Sequence, residues 1–306
     1  KRQISGGASA LLCSPLDGIN FDEKQKINNE LLKSGASIDE MNIVRQSISA
    51  VKGGRLLELI KPSNCITYGI SDIPGDDPSF IGSGPTIYSN NDPNKLFEIL
   101  DNYQIEISKE ILSIIKTNLL PKGINENFHL IASPMKALKA ASNLAKKIGF
   151  LPIILSDKLE GDASKEGERM ANLALKIKKE KRYKNISLEK PILLLSGGET
   201  TVKVNGLGKG GRNSEFALSM VNTLKGNKNI LGLSIDTDGI DGSEDNAGAF
   251  FSYETFLKSK KLNLNIKTYI NNNDAFSFFE KTKDLIYTGP TLTNVNDFRA
   301  VLVLPN

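Results

Sequence analysis

Ser196-Gly197-Gly198-Glu199-Thr200-Thr201-Val202-Lys203-Val204-Asn205-Gly206-Leu207-Gly208-Lys209-Gly210-Gly211-Arg212-Asn213-Ser214-Glu215-Phe216-Ala217-Leu218 is the stretch around which the chain is organised. An apolar run, Pro191 to Leu195, feeds into its first glycines, and a second glycine cluster opens onto Arg212 and a helical pattern from Asn213 to Leu224. Glycines let backbone N–H groups approach an anion, and a helix N-terminus adds a favourable dipole. Thr200, Thr201, Lys209 and Arg212 add hydroxyls and cations within the same turns, so the stretch reads as a phosphate site. A plain hairpin turn is the competing reading, but such a turn needs Asn or Gly rather than Lys-Gly-Gly-Arg.

Working outward, 306 residues are enough for a substantial core and point to two domains. A net charge of +4 with no dense basic run argues against nucleic-acid binding. Cys13 and Cys65 lack metal-ligand spacing, and no apolar run approaches a membrane span. A reduced, cytoplasmic protein is the simplest expectation. The single histidine, His129, lies in the strand-like run Phe128 to Ala132, which makes zinc and Ser-His-Asp chemistry poor fits.

Strand and helix patterns alternate, which argues for an α/β fold. Helices are expected over Asp22–Ser34, Ile38–Val51, Pro93–Leu100, Ser108–Asn118, Met135–Ile148 and Gly161–Lys179, with strands over Cys65–Ile70, Pro152–Leu155, Ile230–Ile235 and Arg299–Leu304. Leu119-Leu120-Pro121-Lys122-Gly123 is the expected boundary, giving domains over 1–122 and 123–306. The first Ser-Gly-Gly turn comes almost at once, so the N-terminal domain is expected to lack a segment that normally precedes it.

Phosphoryl transfer needs donors around phosphates, carboxylates for Mg²⁺ and cations against transition-state charge. Gly197, Gly198, Gly208, Gly210, Lys209 and Arg212 are candidates for the first and third needs. Asp72, Asp76 and Asp77, or Asp236, Asp238 and Asp241, are candidates for the second. The 236–242 loop is no EF-hand, because Ile240 stands at a ligand position and Ala247 replaces the final glutamate. No Walker A motif is present, since Gly210 follows Lys209. Gly206-Leu207-Gly208-Lys209-Gly210-Gly211 formally matches G-x-G-x-x-G and makes an NAD(P)-dependent oxidoreductase the competitor. Against it, Thr201-Val202-Lys203-Val204 alternates as a half-exposed strand does, unlike the buried parallel strand of that fold.

The blocks Ser5-Gly6-Gly7-Ala8-Ser9-Ala10-Leu11-Leu12, Ser34-Gly35-Ala36, Met41-Asn42-Ile43-Val44-Arg45, Lys52-Gly53-Gly54-Arg55-Leu56, Ser71-Asp72-Ile73-Pro74-Gly75-Asp76-Asp77 and Ser83-Gly84-Pro85-Thr86 resemble the large domain of ATP-dependent glycerate 2-kinases. Ser196 to Val202, Gly208 to Glu215, Thr237-Asp238-Gly239-Ile240-Asp241-Gly242 and Thr288 to Asp297 resemble that family's C-terminal MOFRL domain, here about 190–306. The ordered blocks span essentially the whole chain.

The resemblance implies two α/β domains with a cleft between them, the N-terminal one Rossmann-like and incomplete. It implies transfer of the ATP γ-phosphoryl group to the 2-hydroxyl of D-glycerate with Mg²⁺, by a monomer or homodimer. Family members are also named hydroxypyruvate reductases, so that NAD(P)-dependent activity is the alternative, with an inactive nucleotide-binding module as a third possibility. By resemblance, Arg212, Asp72 and Asp76 are catalytic, and Asp72, Asp76, Asp238 and Asp241 are metal candidates. Ser5, Gly6, Gly7, Ser9, Arg45, Lys52, Gly197, Gly198, Glu199, Thr200, Lys209, Gly210 and Asn213 are candidates for binding substrate or phosphate. The family's further segment before the first Ser-Gly-Gly, with a Gly-Lys-Ala-type turn, has no match here.

Overall fold

The structure is a computed structural model that describes residues 2–5, 7–73, 75–89, 92–124 and 127–305, so Gly6 and Pro74 lie outside the described residues. Two compact units, Lys1–Ala132 and Ser133–Asn306, are each held by their own contacts.

In the first unit β1 (Arg2–Ile4), α1 (Ala8–Leu11), α2 (Phe21–Ser34), α3 (Ile38–Ser47), α4 (Arg55–Leu59), β2 (Thr67–Ile70), α5 (Pro93–Asn102), α6 (Lys109–Thr117) and β3 (Phe128–Ala132) follow in order. The helix starts are written into the sequence. Asn20 and Glu23 form a reciprocal capping box on α2, and Ser37 and Glu40 do the same on α3. Such a cap is worth about 1 kcal/mol. Helix α3 stops at Ser47, short of the expected Val51, and the chain then passes through left-handed Gly53 and Gly54. Leu31, Val44, Ile48 and Ile99 are buried in the helical core, each contributing roughly 1.5–3 kcal/mol by burial.

β1, β2 and β3 form a parallel sheet in that order. Phe128–Ala132 therefore extends the first unit beyond the Leu119–Gly123 stretch, because its backbone pairs with Thr67–Ile70. His129 is exposed on edge strand β3, its ring 5.7 Å from that of Tyr68.

The second unit contains α7 (Pro134–Lys147), β4 (Leu151–Ser156), α8 (Ala163–Glu180), β5 (Arg182–Tyr183), β6 (Ile186–Ser187), β7 (Ile192–Ser196), α9 (Arg212–Leu224), β8 (Ile230–Asp236), β9 (Gly248–Phe251), α10 (Tyr253–Lys261), α11 (Ile266–Asn271), α12 (Ala275–Thr282), β10 (Leu285–Ile286) and β11 (Asp297–Val303). Its main sheet has the order β10-β9-β8-β11-β7-β4, with β4 and β7 parallel and the other neighbours antiparallel. β8 and β11 alternate strictly between buried and half-buried residues, the period of a pleated strand. Thr201–Val204 does not form the expected strand; only an isolated bridge, Asp162 to Thr201, is made there. Among the described residues no helix is long and apolar enough to cross a membrane.

Candidate active site

The second unit gathers charge at one end of its sheet. Strands β7 and β8 finish there, at Ser196 and Asp236, and antiparallel β11 begins there, with Asp297 paired to Asp236 and Arg299 to Ser196. The carboxyl ends of strands are where α/β sheets commonly bind ligands. Arg212, the first residue of α9, reaches this edge. Its Nε donates to Asp297 Oδ1 at 2.7 Å, one terminal nitrogen to Glu199 at 2.8 Å and the other to Asp236 at 2.7 Å. A guanidinium has five N–H donors. Three are committed here, leaving one on each terminal nitrogen with no partner among the described residues. Burial pulls the Arg212 pKa down, but Asp297, Asp236 and Glu199 outweigh it and hold the cation firmly charged. Burial pushes the Asp236 carboxyl above its ordinary range, against the pull of Arg212.

Asp297 anchors this arrangement and was not assigned a role from sequence. Besides Arg212 it accepts from Asn213 Nδ2 at 2.7 Å, from the Thr200 N–H at 3.2 Å and from fully buried Arg299. Arg299 also donates to the Thr200 hydroxyl and lies 4.9 Å over the Phe216 ring. Gly197, Gly198, Glu199, Thr200, Arg212 and Asn213 are thus brought to one place. Gly198 has φ +102°, and a Cβ there would sit 2.1 Å from the Leu159 nitrogen, so only glycine lets the turn close.

Two expectations need correction. Asp241 is no metal candidate in this geometry, because its fully buried carboxylate caps α9. It accepts the N–H groups of Asn213 and Ser214 at 2.8 and 2.7 Å and the Ser214 hydroxyl at 2.6 Å. Asp238, the other candidate on that loop, accepts the Ile240 N–H at 2.8 Å through one oxygen.

The second correction concerns the Gly206–Gly211 cluster, whose N–H groups are largely spent inside the chain. Asn205 and Gly206 donate to Asn273 Oδ1, Leu207 to Asn272 Oδ1, Gly208 to the Asn272 carbonyl and Lys209 to Asp274. A Cβ on Gly208 would lie 2.4 Å from the Asp274 side chain, so this glycine serves close packing on 272–274 rather than a phosphate. The Lys209 ammonium is exposed, 3.5 Å from Glu244, and Gly210 packs against the Gly242 turn and the start of α12. The dinucleotide fingerprint also requires a strand immediately before its glycines, and none is present.

The first unit holds a separate cationic pocket of about 390 Å³, lined by Gly7, Ser9, Ala10, Cys13, Phe21, Lys24, Gln25, Asn28, Arg45 and Lys52. Four residues singled out from sequence, Gly7, Ser9, Arg45 and Lys52, meet there from three separate segments. Lys52 is 2% exposed and donates to the Ser9 carbonyl at 2.6 Å and the Ser9 hydroxyl at 3.1 Å. Ser83 donates to Asn42, so the proton of the Ser9–Ser83 contact at 2.7 Å comes from Ser9. A directed chain from Lys52 through Ser9 and Ser83 to Asn42 results. Lys24 is the lining cation that sequence reading missed. It follows Asp22 and Glu23 in the first turn of α2, yet it shares the buried face of Ile27 and Leu31 at helical spacing. That spacing was the available signal.

Burial, with the neighbouring Lys24 and Arg45 charges, pushes the Lys52 ammonium from 10.5 down to about 8. The unfolded chain keeps its proton to the ordinary value, so between these pH values it binds more protons than the folded chain. Stability without ligand should therefore rise with pH across that window. Urea unfolding at pH 7.5 and 9.5 should show this rise in the wild type and a smaller one in Lys52→Met. Equal slopes for the two proteins would remove Lys52 as its cause.

Asp72 and Asp76 lie together on the loop after β2, and neither lines the cationic pocket. Burial raises the Asp72 carboxyl, and Asp76 is held at φ +57°, a left-handed conformation uncommon outside glycine. Ser5 is exposed, and its carbonyl accepts the Ala8 N–H.

Comparison with known proteins bears on both units. Residues 3–116 match a domain of unknown function, DUF4147, and residues 192–297 match the MOFRL family. A D-glycerate 2-kinase from Thermotoga maritima is 38% identical, the alignment covering 98% of this chain and 71% of that protein. The chain belongs to the glycerate 2-kinase family. A glycerate kinase crystal structure from Thermotoga maritima superposes with a TM-score of 0.90 at 36% identity, covering 99% of this chain and 72% of that one. A relative from Agrobacterium vitis, 41% identical over 98% of this chain and 78% of its own length, carries the name hydroxypyruvate reductase. The chain shares the mixed α/β fold of that glycerate kinase structure.

Phosphoryl transfer from a nucleotide commonly uses Mg²⁺ to neutralise phosphate charge. Among the described residues no three Asp, Glu, His or Cys side chains converge as a metal cage. A cation carried by nucleotide phosphates needs only one or two protein carboxylates. Asp72 and Asp76 offer two carboxylates on one loop, whereas the buried carboxylate of Asp241 has three of its roughly four acceptor positions taken by Asn213 and Ser214.

Proposed function

We propose that this chain transfers the γ-phosphoryl group of ATP to the 2-hydroxyl of D-glycerate, yielding 2-phosphoglycerate and ADP, in the cytoplasm. The observation that carries the reading is Arg212, pinned at the sheet edge by Glu199, Asp236 and Asp297 with two N–H groups uncommitted. Phosphoryl transfer is catalysed mainly by positioning and by fixed charge that meets the transferring group. Arg212 presents its remaining donors to phosphoryl oxygens, and the three carboxylates keep the guanidinium plane from turning. Donors fixed in advance cost no reorganisation at the moment of reaction. Asp72 and Asp76 would hold Mg²⁺ or orient the attacking hydroxyl; the metal, when bound, neutralises phosphate charge.

The hydroxypyruvate reductase reading, suggested by the name of the Agrobacterium vitis relative, rested here on the G-x-G-x-x-G match. Gly206 to Lys209 of that loop spend their N–H groups on Asn272, Asn273 and Asp274. Phosphorus NMR on the protein with ATP, Mg²⁺ and D-glycerate should show 2-phosphoglycerate. Formation of 3-phosphoglycerate would overturn the choice of hydroxyl. Consumption of NAD(P)H on hydroxypyruvate with no phosphorylated product would overturn the kinase.

A further inference from the structure

The pocket beneath Gly7 and Ser9 carries an unusual charge arrangement. Lys24, Arg45 and Lys52 all line it, and among the described residues no aspartate or glutamate does. Arg45 commits its Nε to Asn28 at 3.2 Å, and Lys52 commits its ammonium to Ser9. Lys24 has neither kind of partner. It is 4% exposed, and its buried ammonium has no hydrogen-bond partner among the described residues.

A buried ammonium left unbonded beside two further cations is costly. Its own pKa is lowered by burial, with only the Cys13 thiol opposing, and Lys24 and Arg45 in turn depress Lys52. A bound anion relieves all of these penalties at once, because it supplies acceptors and cancels the mutual repulsion. Ala10, Phe21 and Cys13 give the pocket a short apolar wall, and about 390 Å³ lies at the small end of ligand pockets. These features suit a compact oxyanion on a short carbon chain better than a nucleotide.

We propose that this pocket seats the carboxylate of the three-carbon hydroxy-acid acceptor, with Lys24 as the ligand that completes the site. The proposal rests on the kinase reading for the identity of the acceptor, while the pocket's affinity for a compact oxyanion stands apart from it. Arg45 supplies its terminal N–H groups, Lys52 holds the Ser9 turn in place, and Lys24 closes on the anion.

The test compares the full chain with Lys24→Met, which keeps length and removes charge. In anion-free buffer the variant should melt at a higher temperature than the wild type, since an unpaired buried cation is gone. D-Glycerate should raise the melting temperature of the wild type and leave that of the variant unmoved. In the kinase assay the variant's KM for D-glycerate should rise by about 10- to 100-fold, as loss of a charged hydrogen bond implies, with KM for ATP unchanged. A rise in KM for ATP alone, or protection by inorganic phosphate and ATP but not by D-glycerate, would overturn the carboxylate assignment in favour of a phosphate. An unchanged KM for D-glycerate in an active enzyme would overturn the pocket while leaving the kinase standing. Wild-type protein that forms no phosphorylated product, yet shows a D-glycerate melting shift lost in Lys24→Met, would keep the pocket and overturn the kinase.

Discussion

Replacing Asp297 by alanine should lower the stability of the chain by about 3–5 kcal/mol, the cost of leaving a buried charge without its partner. The charge concerned is Arg299, which is fully buried, has an Nε unbonded among the described residues, and otherwise meets the Thr200 hydroxyl, the Gly197 carbonyl and the face of Phe216, with the Asp241 charge a smaller influence than Asp297. Asp297 also fixes Thr200 and Asn213, so its loss loosens the turn after β7 and the start of α9 together. Asp297→Asn should cost less, because the amide keeps shape and one acceptor. The double variant Asp297→Ala/Arg299→Met should recover much of the stability, since apolar groups of similar volume replace a buried pair at little cost. It should not recover turnover, because Arg212 still lacks its Nε partner. Urea unfolding of the three variants decides the matter. A loss under about 1 kcal/mol for Asp297→Ala, within the range of an exposed pair, would show that Asp297 is not what keeps Arg299 buried.

The longer helices and most strands were legible because their signals are local, whereas α1, α4, α10 and α11 were not read. Capping residues such as Asn20 and Ser37, and the period of β8 and β11, depend on nearest neighbours in sequence. Function was less legible where glycine had two explanations. The Gly206–Gly211 cluster looked like an anion cradle, but its partners, Asn272 to Asp274, lie far along the chain, and only the fold reveals that they take its donors. Asp241 misled for a related reason: an aspartate in an acidic loop and an aspartate capping a distant helix have the same local sequence. Lys24 was hidden differently. Its helical phase was readable, yet a lysine next to Asp22 and Glu23 looks like surface charge until its burial is known. Arg212 drew attention from sequence alone, while the carboxylates that define its chemistry come from Glu199 and from two strands further on.

Arg212→Ala should reduce kcat by about 10²- to 10³-fold, the range found when one fixed donor to transition-state charge is lost. Folding should be affected as well. Removing the guanidinium strips three charge-assisted bonds and leaves Asp236 buried without its cation, although Asp297 keeps Arg299. A stability loss of about 1–3 kcal/mol should accompany the kinetic effect. Turnover must therefore be measured at a temperature where circular dichroism shows the variant fully folded. Arg212→Lys should rescue little, because an ammonium on a flexible stem cannot serve three carboxylates in one plane and still face a phosphoryl group. Asp236→Asn should fall between the wild type and Arg212→Ala, since it preserves an acceptor for one terminal nitrogen but not its charge. The order of kcat is then wild type, Asp236→Asn, and last Arg212→Lys with Arg212→Ala. If Arg212→Lys were as active as the wild type, a single positive charge would suffice, and the three-carboxylate clamp would have no part in catalysis.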